Sequence, residues 1–144
     1  MIKVYLGLGT NLGNREANIR KAIDLINRRV GQVVRQSSFI ETEPWGFKSE
    51  NRFLNAVILC ETTKAPREVL QLTQQIERDM GRTKKSVNSK LKTQSPHYSD
   101  RPIDIDILLY DDITVDEPDL HIPHPLMQQR DFVMIPLREI MDSK

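Results

Sequence analysis

Cysteine, net charge and long apolar runs are all scarce in this 144-residue chain. The one cysteine, Cys60, excludes an intramolecular disulfide and a cysteine-based zinc site, and it fits a reducing compartment. Lys and Arg number 21 against 20 Asp and Glu, so the net charge of +1 favours neither a nucleic-acid partner nor an acidic membrane. No apolar run approaches the ~18 residues of a membrane span, and the N-terminal residues lack a signal-peptide layout. We therefore expect a cytoplasmic protein that binds neither nucleic acid nor membrane.

Apolar residues are nevertheless numerous enough for a folded core. Leu, Ile, Val and Phe account for 41 of the 144 residues, which is above the roughly 20% below which disorder is expected. The length is close to the ~150 residues of a typical domain. The sequence therefore predicts a single domain over residues 1–144.

The spacing of apolar residues predicts alternating strands and helices. Strands are predicted at 2–8, 33–40, 53–60 and 103–110. One helix is predicted between Asn14 as its N-cap and Gly31 at its C′ position, and a second from Pro66 to Gly81. An acidic turn is predicted after the fourth strand, and a short helix at the end of the chain, after the apolar stretch 132–135. Residues 41–47 interrupt regular structure, and residues 82–101 form a long polar loop. The order β-α-β-β-α-β predicts an α+β, ferredoxin-like split βαβ fold, with a mostly antiparallel sheet and helices packed against one face.

Charge is distributed unevenly along the neutral chain. Residues 82–92 carry five basic side chains and no acid, whereas residues 100–119 carry eight acids against one arginine, Arg101. Two solvated loops that neutralise each other would explain this pattern. Basic groups that hold a polyanion, beside acids that hold its metal ion, are the more specific alternative.

Asp104 and Asp106 give the strongest local signal. Side chains alternate between the two faces of a strand, so these two aspartates would share one face, about 6.6–6.8 Å apart along the chain. The isoleucines at 103, 105 and 107 would then be buried on the other face. Adjacent carboxylates repel unless a cation lies between them, and carboxylates so placed can share a hard divalent ion. An exposed strand face with Arg101 as the counterion is the alternative.

The remaining motifs are less specific. The glycine-rich turn at 7–13 lacks the spacing of a dinucleotide or phosphate loop, and a strand-to-helix turn needs glycine in any case. His121 and His124 are too few for a zinc cage, so His124 either contacts a phosphate or ribose or packs beside Pro125. Trp45, Phe53 and Phe132 are either core residues or the faces of a sandwich around a flat heterocycle.

Together these segments resemble the 6-hydroxymethyl-7,8-dihydropterin pyrophosphokinase family of folate biosynthesis. An Arg-x-x-Asp-x-Asp-Ile sequence followed by Pro-His is the most specific part of the resemblance. The matching segments follow the family's order and are 5–13, 37–42, 53–56, 74–77, 81–82, 101–110, 122–125, 130–133 and 136–137.

The resemblance implies an ATP-dependent diphosphotransferase that passes the terminal diphosphate of ATP to the hydroxymethyl oxygen of the pterin and releases AMP. Asp104 and Asp106 would hold two Mg²⁺ ions, and Arg82 and Arg101 would be the catalytic arginines. The expected nucleotide contacts are Gln74, Glu77, Lys84, Tyr98, Ile107, His124 and Arg130. The expected pterin contacts are Thr42, Trp45, Phe53, Asn55 and Phe132, with the ring stacked between Phe53 and Phe132.

Two other classes of function remain open at this stage. A catalytically silent ferredoxin-like binding module could keep the same scaffold. A different Asp-x-Asp metal enzyme, such as a nucleotidyltransferase or glycosyltransferase, would bind a nucleotide without a pterin site. Pterin binding distinguishes the favoured enzyme from both.

Overall fold

The computed structural model describes residues 1–42, 53–81, 103–125 and 127–141, apart from the side chains of residues 42, 128 and 132. The predicted 82–101 loop and most of the predicted 41–47 interruption lie outside these ranges. The strands are β1 (Ile2–Thr10), β2 (Gln32–Gln36), β3 (Ile40–Thr42), β4 (Phe53–Thr62), β5 (Asp104–Tyr110), β6 (Val115–Glu117) and β7 (Leu120–Ile122). The helices are α1 (Arg15–Arg29), α2 (Pro66–Asp79) and α3 (Asp131–Met141), and a 3₁₀ turn covers Met127–Gln129. No helix within the described ranges is both long and apolar enough to cross a bilayer.

Five of the strands form one antiparallel sheet in the order β2-β4-β1-β5, and β3 pairs with β4 beyond the end of β2. Because β1 and β2 both run antiparallel to β4, they are parallel to each other with β4 between them. This is the predicted split βαβ arrangement, and the α+β ferredoxin-like fold is confirmed. A separate hairpin of β6 and β7, which the sequence predicted only as an acidic turn, follows β5.

Helices cover both faces of the sheet, whereas the sequence predicted them on one. Helices α1 and α2 lie over alternate residues of the strands and share with them the larger core, which includes Leu6, Leu8, Ile19, Ile58, Ile76 and Ile105. Helix α3 covers part of the opposite face in a smaller core, which includes Val57, Leu59, Leu108, Val133 and Leu137. The apolar stretch 132–135 therefore lies within α3 itself, and Val133 and Met134 pack in the smaller core.

Two strand boundaries also differ from the prediction. Strand β1 continues to Thr10, so Gly7 and Gly9 lie in the strand and the turn begins after it. The predicted strand 33–40 is divided in two, because at Ser37 the side-chain Oγ accepts a hydrogen bond from the Val57 N–H (2.9 Å). The Ser37 hydroxyl thus accepts the hydrogen bond that a main-chain carbonyl would otherwise accept in the pairing of the two strands.

The helix ends follow from local chemistry. The Asn14 side chain accepts a hydrogen bond from the Ala17 N–H (3.1 Å) and caps α1 as predicted. Gly81 follows α2 with φ of 107°, a conformation that favours glycine. Gly31 was predicted for the same reason after α1, but it is needed for space: a Cβ there would lie 2.2 Å from the Glu61 carbonyl oxygen.

Cys60 lies fully buried in the larger core. Burial, helped by the charge of Glu61, raises the pKa of its thiol to about 11. We predict that a thiol reagent labels Cys60 only after the chain unfolds, because the native thiol is both inaccessible and protonated. Labelling across a urea titration should follow the unfolding transition seen by circular dichroism. Complete labelling of the native protein within minutes would contradict this burial.

Candidate functional site

Three neighbouring strands place polar and glycine residues in register on one face of the sheet. Gly9 of β1 pairs with Asn55 of β4 on one side and with Asp104 of β5 on the other. Two residues along, Gly7 pairs with Val57 and with Asp106. Directly paired residues of antiparallel strands share a face, and Val57 belongs to the core under α3. The row Asn55–Gly9–Asp104 therefore lies on the face that α3 partly covers.

Gly9 makes this row a trough. Neighbouring strands are about 4.8 Å apart, so the main chains of Asn55 and Asp104 are separated by about 10 Å with only Gly9 between them. Phe53 lies on the same side of β4, two residues before Asn55. The trough therefore has two sides, or banks. Asn55 and Phe53 form one bank, and Asp104 and Asp106 form the other, the carboxylate bank.

The carboxylate bank has the alternation that the sequence predicted. Ile103, Ile105 and Ile107 are buried under α1 and α2, and Asp104 and Asp106 are half-buried on the opposite face. The side chain of Asp106 is 34% exposed. Both carboxylates are thus accessible from the trough.

His124 joins the carboxylate bank through an irregularity in β5. Leu108 is an extra residue in the pairing of β5 with β1, where Tyr5 pairs with Leu109 and Leu6 with Ile107. The carbonyl of Leu108 accepts a hydrogen bond from the His124 N–H (3.1 Å). This bond brings the His124 Nε2 atom to 4.0 Å from an Asp106 carboxylate oxygen.

The pKa of the His124 imidazole lies below its ordinary value. Burial lowers the pKa of His124, the positive charge of Arg130 lowers it further, and the negative charge of Asp104 opposes both. Arg130 is itself buried, at the start of α3. His124, Arg130, Asp104 and Asp106 therefore form one electrostatic group. The other histidine of this segment, His121, contacts Asp116 across the β6–β7 hairpin (3.0 Å).

Glu77 supports the outer edge of β5. Glu77 is 9% exposed, and its carboxylate accepts a hydrogen bond from the N–H of Ile105 (2.7 Å), the residue between the two aspartates. A sheet edge exposes N–H groups that need such partners. Glu77 was predicted as a nucleotide contact, and this support of the strand was not predicted because only the fold brings α2 to that edge.

The other predicted residues divide into four groups. Gln74 is exposed on α2, one turn before Glu77. The side chain of Ile107, an expected nucleotide contact, is buried on the opposite face from the aspartates, so its main chain is the part that could line the site. Thr42 pairs with Phe53, and Phe132 is the second residue of α3, but their side chains are not described. Arg82, Lys84, Tyr98, Arg101 and Trp45 lie outside the described residues.

Buried polar residues close the trough at the end of β1. Thr10 and Asn11 are both almost fully buried there. The Asn18 amide donates hydrogen bonds to the Thr10 hydroxyl (3.3 Å) and to the Leu12 carbonyl (2.8 Å), which ties the turn to α1. Sequence reasoning did not single out Asn18, since its spacing from Thr10 becomes meaningful only once the turn is known.

The donor set fits a hard cation that keeps outside ligands. Within the ranges that the structure describes, no three His, Cys, Asp or Glu side chains come together as a complete metal cage. Asp104 and Asp106 supply carboxylate oxygens from one strand face. Magnesium is typically bound in this way, by one or two carboxylates with waters and phosphates as its other ligands.

Comparisons with known proteins agree on one family. The family model described as 7,8-dihydro-6-hydroxymethylpterin-pyrophosphokinase matches residues 5–142. The chain is 47% identical over 141 residues to the 2-amino-4-hydroxy-6-hydroxymethyldihydropteridine pyrophosphokinase of Porphyromonas gingivalis, covering 97% of this chain and 91% of that protein. It is 37% identical over 137 residues to the enzyme of the same name from Bacillus subtilis, covering 94% of this chain and 76% of that protein.

A solved structure of similar fold is the Plasmodium falciparum HPPK-DHPS crystallised with pteroate. The TM-score is 0.72 at 16% sequence identity, covering 96% of this chain. The chain spans only 38% of the length of that larger protein. At this identity the likeness shows the fold alone.

We predict that Glu77→Ala lowers the free energy of unfolding by about 1–3 kcal/mol, because the buried Ile105 N–H loses its acceptor. Glu77→Gln keeps an oxygen at that position and should retain most of the stability. Urea denaturation measures both, and Gln71→Ala, at an exposed position of the same helix, is the control. A Glu77→Ala variant as stable as the control would show that this contact does not support β5.

Proposed function

Because the chain belongs to the 7,8-dihydro-6-hydroxymethylpterin-pyrophosphokinase family, we propose that it transfers the diphosphate of ATP to 6-hydroxymethyl-7,8-dihydropterin and releases AMP, as a step of folate biosynthesis. The observation that supports this most directly is the row Asn55–Gly9–Asp104. In this row, an amide that can bind a heterocycle and a carboxylate that can bind a metal–phosphate group lie on opposite sides of a single glycine.

We propose that Asp104 and Asp106 hold two Mg²⁺ ions. When bound, these ions would neutralise phosphate charge and help align the two reacting groups. Bound ions would also offset the repulsion between these two half-buried negative charges on one strand face. His124 Nε2 lies 4.0 Å from an Asp106 carboxylate oxygen, and the lowered pKa of His124 disfavours a cationic imidazole that would compete with a metal ion.

The pterin would occupy the opposite bank of the trough. Asn55 is 5% exposed, and its amide offers both a donor and an acceptor to the edge of the pterin ring. Phe53 supplies an aromatic face. Thr42 is paired with Phe53 in the sheet, and with Trp45 and Phe132 it would complete the site that the family resemblance implies.

The triphosphate would bind beside the carboxylates, where cationic side chains offset its charge. Arg130 is the basic residue that the structure describes within the group around His124. Arg82, Lys84, Tyr98 and Arg101 are proposed from the family resemblance, together with Gln74 and Glu77 on α2. A contact of Ile107 is proposed for its main chain only.

The reaction takes place between the pterin on one bank and the triphosphate beside the other. The hydroxymethyl oxygen attacks the β-phosphorus of ATP, the bond from that phosphorus to the oxygen it shares with the α-phosphorus breaks, and AMP leaves as the hydroxyl proton is lost. Asn55 and Phe53 orient the attacking group, and the arginines hold the phosphates in line. Positioning and charge stabilisation supply most of the rate of such transfers.

The remaining proposals concern the whole chain. We propose that residues 1–144 act as a single domain in the cytoplasm, on small-molecule substrates and without a nucleic-acid or membrane partner. The single, buried cysteine supports a reducing compartment.

The test of the reaction is product analysis. The protein is incubated with MgATP and 6-hydroxymethyl-7,8-dihydropterin, and the nucleotide products are separated. We expect AMP that forms only when the pterin is present. ADP would indicate transfer of a single phosphate. Nucleotide turnover at the same rate with and without the pterin would indicate a different Asp-x-Asp enzyme. Tight pterin binding with no turnover would indicate a silent binding module.

We predict that Asp104→Ala and Asp106→Ala each lower kcat by about a hundredfold or more, because a lost metal ligand costs several kcal/mol of transition-state stabilisation. Neither should lower the melting temperature substantially, since both side chains lie on a partly exposed face. Asp112→Ala removes an exposed carboxylate just after β5 and serves as the control. Near-normal AMP release by either variant would remove that aspartate from the mechanism.

We predict that Phe132→Ala weakens pterin binding by roughly 1–3 kcal/mol, as expected for the loss of one stacking face, with a much smaller effect on the nucleotide. Calorimetry with each ligand measures the two effects separately. Phe39→Ala is the aromatic control, since Phe39 lies beneath the Arg20 guanidinium, 5.3 Å from it. Equal losses for both ligands would instead assign Phe132 to the core.

A further inference from the structure

Gly9 is a glycine in the middle of a paired strand, where its backbone does not need one. Among the described residues, the glycines with positive φ are Gly13 and Gly81. Gly9 therefore has a conformation that any residue can adopt. A glycine inside a strand costs stability and marks a place where another group approaches closely.

The group that approaches Gly9 is the side chain of Asn55. A Cβ atom at Gly9 would lie 3.0 Å from the Asn55 Oδ1 and 3.7 Å from the Phe53 Cδ1. The first distance is too short for a carbon and an amide oxygen in ordinary contact, and the second is normal. The missing side chain thus makes room for the Asn55 amide oxygen in particular.

Gly7 is a natural comparison within the same strand and on the same face. A Cβ atom there would lie 3.5 Å from the nearest atoms, which are methyl carbons of Leu108. This is an ordinary apolar contact. Of these two glycines, only Gly9 is required by a close approach.

The Asn55 amide has little freedom to move away from an added methyl group. Its strand, β4, is held on both sides, because Asn55 pairs with Gly9 and also with Ile40 of β3. The side chain is 5% exposed, within a close-packed surround. An added methyl would therefore displace the amide oxygen by tenths of an ångström or turn it out of its position.

We infer that Gly9 is a positioning residue that fixes the Asn55 amide for recognition of the pterin edge. This inference rests on the proposed function. The ligand class is a flat heterocycle with neighbouring donor and acceptor groups, for which a hydrogen bond requires a separation of about 2.7–3.2 Å and near-linear geometry. A displaced amide loses these bonds while the carboxylate bank keeps its shape.

The test compares Gly9→Ala with Gly7→Ala in the intact protein. Calorimetry measures binding of 6-hydroxymethyl-7,8-dihydropterin and, separately, of a non-hydrolysable MgATP analogue. We expect Gly9→Ala to raise the pterin Kd about tenfold, the loss of roughly one good hydrogen bond, and to change the nucleotide Kd less than twofold. Gly7→Ala should leave both constants unchanged within the same limit.

A second measurement tests the contact without any ligand. Gly9→Ala should lower the melting temperature, and the decrease should disappear when the same substitution is made in an Asn55→Ala background, which removes the oxygen that the methyl would meet. If Gly9→Ala alone does not fold, restored folding of the double variant supports the contact. Failure of the Asn55→Ala background to rescue it would overturn the inference.

The outcomes separate this inference from the function on which it rests. Wild-type protein and Gly7→Ala that both fail to bind the pterin would overturn the proposed function and the inference together. Normal pterin binding by Gly9→Ala, with wild type also binding, would overturn only the inference. Equal weakening of pterin and nucleotide would likewise overturn it, because it would indicate a general distortion of the sheet.

Discussion

The pairing register of β1 with its two neighbours is the constraint on which the site depends. Gly9 lies opposite both Asn55 and Asp104, so one backbone position aligns both banks of the trough. A slip by one residue would turn every side chain to the other face. Leu8 would then occupy the trough and Gly9 would leave a void in the core. The chemistry of the site is therefore specified by packing on the face where no chemistry occurs.

That register is stabilised from both faces of the sheet. Val4, Leu6 and Leu8 of β1 are buried under α1 and α2, and burial of each large apolar side chain contributes about 1.5–3 kcal/mol. Helix α3 buries Val57 and Leu108 on the other face, where Asp104, at one end of the row at Gly9, is only half-buried. The edge of β5, which no further strand of the described sheet covers, is held by the Glu77 carboxylate on the Ile105 N–H. Burial thus selects the register, and a buried hydrogen bond fixes the strand that carries the aspartates.

Local structure could be predicted from the sequence where a residue pattern is compatible with only one local structure. The alternation of Ile and Asp at 103–107 predicted the buried and open faces of β5 correctly, and the capping by Asn14 was equally local. The strand position of Gly9 was missed, because a glycine shortly before a helix favours a turn unless the neighbouring strands are known. The support from Glu77 and the placement of α3 on the second face depend on contacts between distant segments, which local spacing does not encode.

The bulge at Leu108 divides β5 into two parts that differ in which residues face the trough. Before it, the strand is in phase with the trough, and its alternate residues are Asp104 and Asp106. After it, the phase shifts by one residue, so that Tyr110 enters the core beneath α1 and α2. The bulge and the adjoining turn can absorb a change in chain length without inverting the aspartates, whereas the first part of the strand cannot. During divergence of the family, insertions and deletions should therefore be tolerated after Leu108 and eliminated before it.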